Sequence, residues 1–304
     1  MKTMIVTIST LAAALPPLAD AQQNPLMPTD AQIARDLPYV DSADPRQTLD
    51  LYLPSQGNGP FPVIVWVHGG AWLGGSKVSP PSAGFVVKGY ALASINYRLS
   101  QQATFPAQIH DVKAAVRWLR AHAQKYNLDP DRFAAWGNSA GGHLVALLGT
   151  SGDVKELEGV LGHNDQSSRV QAVVDFFGPT DLLQMDKQAG PMSKINHDAP
   201  DSPESRLIGG PIQENKEKAA QANPITYISK DDPPFLIVHG DSDDVVPLGQ
   251  SKLLHEALQQ AGIESTLHVV RGGGHGRGIF RPDVGELVEK FLEKHLKHKP
   301  QPAK

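Results

Sequence analysis

The sequence predicts an α/β fold with a mainly parallel central sheet covered by helices on both faces. Three observations predict it. Short apolar runs recur along the chain, each closed by glycine, proline or a polar turn. Stretches of helical period lie between them, and glycine-rich segments sit where several runs end. In chain order, "PVIVWVHGG" (62–70) is almost continuously apolar, as a strand buried on both faces must be. "GYALASINY" (89–97), "RFAAWG" (132–137), "VQAVVDFFG" (170–178), "PFLIVHG" (234–240) and "STLHVV" (265–270) follow as further strands. Among the helical stretches, 105–126 sets Ile109, Val112, Ala115, Val116 and Leu119 on one stripe, with Lys and Arg opposite. Segments 249–262 and 283–297 have the same period.

Composition narrows the function classes. The 304 residues are 40% hydrophobic and 20% charged, which suits a packed core. A net charge of -4 gives no electrostatic reason to bind nucleic acid or an anionic membrane. Without cysteine, the chain has no disulfides, thiolate metal sites or cysteine nucleophile. Residues 1–21 have the features of a signal peptide: Lys2, an apolar run from Met4 to Leu15, and Ala19-Asp20-Ala21 as cleavage site. Export to the periplasm or medium is expected, with a catalytic domain over 22–304. No later run reaches the roughly 18 apolar residues of a membrane span, so no membrane association is expected after cleavage. Segment 182–232 breaks the alternation with five prolines and many charges, and reads as an insertion or small cap near the site.

Gly137-Asn138-Ser139-Ala140-Gly141 fits G-x-S-x-G between an apolar run and a helical pattern. In that setting the serine sits on a strained turn, and glycines two residues to either side relieve a collision. The helix opening there directs the N–H of Ala140 toward an oxygen beside Ser139. "HGGAW" (68–72) closes another strand, and Gly70 and Ala71 are expected to add N–H groups to the same oxyanion hole. His68 is expected to hold that loop. Trp72 is a candidate pocket lining, with packing as the alternative.

A serine hydroxyl needs a base, and the base an orienting carboxylate. "HGDSDDVVP" (239–247) offers Asp241, Asp243 and Asp244, and "RGGGHGRG" (271–278) offers His275 between glycines. The order Ser, Asp, His, each just past a strand end, is that of an α/β-hydrolase. His239 and His255 are scattered on strand and helix and read as structural; no convincing metal site is present.

These segments resemble the α/β-hydrolase esterases of the hormone-sensitive-lipase-like kind, and more closely the bifunctional feruloyl and acetyl-xylan esterases. "FPVIVWVHGGAWLGGSK", "GNSAGGHLVALLGTSGD", "VVDFFGPTDLL", "HGDSDDVVP" and the long "SRLIGG…NPITYIS" string carry the resemblance over roughly residues 45–295. The resemblance implies Ser139 as nucleophile, His275 as general base and, by the pattern HGxxDxxVP, Asp243 as the acid. It also implies no cofactor, and as substrate a small ester or an esterified polysaccharide such as xylan. Asn138 departs from the acidic residue, serine or glycine that relatives often carry. A general carboxylesterase, a lipase-like or tannase-like hydrolase, and an inactive carbohydrate-binding scaffold are the competing readings. Oligomeric state is not legible.

Overall fold

The computed structural model describes residues 31–191, 193 and 195–297; the expected signal peptide lies outside them. Eight strands form one sheet in the order β1-β2-β4-β3-β5-β6-β7-β8. They are β1 (Gln32–Pro38), β2 (Thr48–Leu53), β3 (Phe61–Val67), β4 (Ala91–Ile95), β5 (Leu128–Asn138), β6 (Ala172–Phe176), β7 (Phe235–Gly240) and β8 (Ser265–Val270). Pairing is parallel from β4 through β8, while β1–β2 and β2–β4 are antiparallel. Strands β3 to β8 coincide with the six expected apolar runs. The antiparallel pair β1–β2 was not foreseen.

The helices are α1 (Ala107–Ala121), α2 (Ala123–Tyr126), α3 (Ala140–Thr150), α4 (Lys155–Glu158), α5 (Met185–Gln188), α6 (Pro203–Ile208), α7 (Lys216–Gln221), α8 (Leu248–Gln260) and α9 (Pro282–Leu292). Alternation along the strands sorts the core into two layers. Val63, Val65 and Val67 of β3 face α1, α3 and α8 through Ile109, Leu144 and Leu254. Ile64 and Trp66 face the other way, toward a 3-10 segment (Pro81–Lys88) and α9, through Phe85 and Val288. Burying one such aliphatic side chain contributes on the order of 2 kcal/mol. Both faces are therefore covered, which explains why β3 reads as unbroken apolar sequence.

Segment 182–232 enters between β6 and β7 as short helical turns. Leu182, Leu207, Ile208, Ile212, Ala219 and Ala222 are buried in the layer that holds α1 and α3. His143 of α3 donates to Ala222 O at 2.6 Å, tying the segment to that helix. At the far edge, the buried Asp50 of β2 takes bonds from Lys77, Arg35 and the Asp36 N–H, fastening β1.

Candidate active site

β5 runs straight into α3, and Ser139 is the residue between them, at φ 54 and ψ -124. That backbone region is strained for a residue with a side chain, and the cost is of order 1–3 kcal/mol. Ser139 O accepts from His143 N and Ser139 N donates to Phe176 O, so the turn is held from both sides. The side chain makes no cap bond to the helix. Its hydroxyl is thus left for chemistry. The flanking glycines are dictated by contact. A Cβ on Gly137 would lie 2.3 Å from Gly141 O, one on Gly141 2.1 Å from Val67 O, and one on Gly142 2.3 Å from Asp175 Oδ1.

The loops after β7 and β8 meet through another close approach. A Cβ on Gly240 would lie 2.1 Å from Gly273 O, and Ser242 N donates to that same oxygen at 2.9 Å. This brings Asp243 Oδ2 to 2.9 Å from His275 Nδ1, and His275 Nε2 to 2.9 Å from Ser139 Oγ. Of the three acids left open by sequence, only Asp243 is bonded to His275. Asp241 Oδ1 instead accepts from Gly272 N at 2.6 Å, bracing the histidine loop. Burial alone would raise the Asp243 carboxyl. Bonds from His239, His275 and the Val245 N–H outweigh it and hold the group well below the usual carboxylate range.

The loop after β3 passes beside the serine. Gly69 N donates to Asn138 Oδ1 at 3.1 Å, and a Cβ on Gly69 would lie 3.3 Å from Ser139 Cβ. Gly70 and Ala71 have φ of +109 and 55, and Gly70 O is turned to accept from Leu73 N and Gly74 N. The described hydrogen bonds use neither the Gly70 nor the Ala71 N–H. Ala140 opens α3, where first-turn N–H groups lack helical partners. His68 holds this loop: Nδ1 donates to Gly69 O at 2.6 Å, and Nε2 faces Arg46 Nη2 at 3.0 Å. Its ring stacks on Tyr97 at 4.4 Å, and burial pulls it down to about 4, keeping it neutral.

For Trp72, of whose two readings packing is one, the structure gives a residue 2% exposed, within the core and edge-on to His143 at 5.3 Å. Ala71 and Trp72 both have positive φ, at 55 and 56. Sequence reasoning also missed three contributors. Arg46 braces the loop from before β2, and Asn138 clamps it. Phe177, at φ 45, sets its ring edge-on to His275 at 4.8 Å. Beside the acid lies a cavity of about 280 Å³, walled by Ala189, Gly190 and Pro191 on one side and Asp244, Val245 and Pro247 on the other. Segment 182–232 therefore reaches the neighbourhood of the site. Among the described residues, no cluster of three or more His, Asp or Glu is placed to hold a metal ion.

Known proteins share this architecture. The BD-FAE family profile matches residues 49–258. The chain is 32% identical over 258 residues to the probable carboxylic ester hydrolase LipM of Mycobacterium tuberculosis, covering 81% of this chain and 58% of that protein. It spans less than two thirds of the length of the curated relatives it matches. A truncated carbohydrate esterase from gut microbiota superposes with a TM-score of 0.81 at 34% identity, over 90% of this chain and 99% of that one. A bifunctional GH43-CE protein of Bacteroides eggerthii gives 0.81 at 38% identity, over 87% of this chain and 35% of that one. The fold is that of the α/β-hydrolase esterases.

Proposed function

The chain belongs to the BD-FAE family, and from that premise we propose that it is a serine esterase that removes acetyl and feruloyl groups from plant polysaccharide such as xylan. The observation that carries the reading is the unbroken line Asp243–His275–Ser139, with both links at 2.9 Å, ending on a strained serine at a helix start. Ser139, His275 and Asp243 act as nucleophile, base and acid. Gly70, Ala71 and Ala140 form the oxyanion hole.

In the first step His275 Nε2 takes the hydroxyl proton as Ser139 Oγ bonds to the ester carbonyl carbon. Asp243 holds the Nδ1–H tautomer and stabilises the imidazolium. The oxyanion accepts from the three N–H groups; one such donor is typically worth about 100- to 1,000-fold in turnover. The alcohol leaves with the proton from His275, and an acyl group remains on Ser139. Water then repeats the sequence, giving up its proton to His275 and releasing the carboxylic acid. Every residue named is supplied by the chain, and no step requires a metal or organic cofactor.

The carbohydrate half of the proposal draws support from the relatives named as carbohydrate esterases. Export of the mature chain from Gln22 is part of the same reading. Among the described residues no helix is long and apolar enough to cross a membrane. The test is turnover of methyl ferulate, acetylated xylan and p-nitrophenyl acetate, with Ser139→Ala as blank. Serine-dependent release from the first two is expected. Release from the activated acetate alone would overturn the polysaccharide substrate and leave a general carboxylesterase, the activity class of the curated relatives.

A further inference from the structure

The carboxylate of Asp243 is surrounded by more donors than a base-orienting acid needs. Oδ1 accepts from Val245 N and Val246 N, each at 2.9 Å. Oδ2 accepts from His275 Nδ1 at 2.9 Å and faces a second histidine, His239, whose Nε2 is 3.4 Å away. His239 lies on β7 and is fully buried. Its Nε2 is also 2.9 Å from Val246 O, so that nitrogen faces two acceptors and must carry the proton. Nδ1 lies 2.7 Å from Ser251 Oγ of α8 and takes the hydroxyl proton there. The ring is thereby locked in one tautomer and one orientation, with Phe177 edge-on at 6.4 Å. The ionisable groups around it are Asp243, His275 beyond that acid, and the buried Asp175 of neighbouring β6.

We infer that His239 is a positioning residue: its Nε2–H holds the Val246 carbonyl while facing Asp243 Oδ2, fixing the 243–246 turn and with it the acid in the plane that His275 needs. This rests on the serine-esterase reading above. Without that donor the Val246 carbonyl is released, and the turn whose Val245 and Val246 N–H groups hold Oδ1 loosens, so the carboxylate can shift off its line to His275. The effect acts on the chemical step rather than on substrate binding.

Two variants of equal chemistry and different reach separate positioning from packing. In His239→Gln the amide extends to the Nε2 position, whereas in His239→Asn it stops near Nδ1. Each is assayed on p-nitrophenyl acetate per active site, counted with an organophosphate titrant, beside wild type and Ser139→Ala. The Asn variant is expected to lose about tenfold in kcat, the scale of a small misplacement, with KM within twofold. The Gln variant is expected to stay within threefold of wild type in kcat. Equal kcat values in both variants would overturn the inference, whatever happens to thermal stability. Turnover by wild type that persists in Ser139→Ala would instead overturn the esterase reading, a separate result.

Discussion

Asn138 shows how one side chain joins two parts of the site. Its Oδ1 holds the Gly69 N–H at 3.1 Å, fixing the loop of Gly70 and Ala71 against the serine turn. Asn138→Ala is expected to lower kcat about tenfold with KM nearly unchanged, because the loop's donors matter most when the oxyanion forms. Steady-state kinetics on p-nitrophenyl acetate checks it. Gly141 is constrained by sterics alone, since a Cβ there would lie 2.1 Å from the rigid Val67 carbonyl. Gly141→Ala is expected to lower the thermal midpoint by several degrees or to block folding, as read by circular dichroism. Ser139, Asp243 and His275 were legible because each stands in a short motif after a strand. Arg46, Asn138 and His239 were not. Their partners are set by the fold: Arg46 meets His68 across 22 residues of chain, and Asn138 meets Gly69 across 69.

At the scale of elements, legibility followed burial. The parallel strands β3, β4, β6 and β7 are buried along almost their whole length, and β5 from Phe133 to Gly137, and these stretches wrote themselves as apolar runs. β1 is largely exposed, interrupted by a bulge and carries Arg35 and Asp36, so its polar sequence gave no strand signal. Segment 182–232 was visible only as a break in pattern, because its turns are too short to have a period. It is fastened through His197 and Glu204, both buried, with Nδ1 and Oε1 2.9 Å apart. Burial would lower the His197 pKa, but Glu204 and Asp186 outweigh it and the net direction is upward. A raised pKa means that the stabilisation is present below about pH 6.5 and is lost as pH rises through the folded value. Limited proteolysis within 182–232 is therefore expected to quicken as pH rises through the folded value. Glu204→Gln is expected to be cut quickly at every pH, because the charged partner is gone.

For the whole molecule, buried ionisable groups set the pH range of stability. Burial holds both His68 and His143 at about 4, below the usual 6.5. The unfolded chain binds protons there first, so stability is lost as pH falls from 6.5 toward 4. Asp175 opposes this trend. Burial pushes it up to about 6 against the Gly178 N–H bond, so the folded state pays for an ionised carboxylate above that pH. Asp175→Asn is expected to gain up to about 3 kcal/mol over wild type at pH 8, with the gain vanishing near pH 4. Urea unfolding across that range tests the sign.

Covalent labelling shows whether an acyl group can pass through Ser139. The protein is treated with a p-nitrophenyl phosphonate, the released p-nitrophenolate is counted, and the digested peptides are weighed. One equivalent of release, complete loss of esterase turnover, and an adduct on the peptide that holds Ser139 are expected. An adduct elsewhere, or undiminished turnover in the labelled protein, would contradict it.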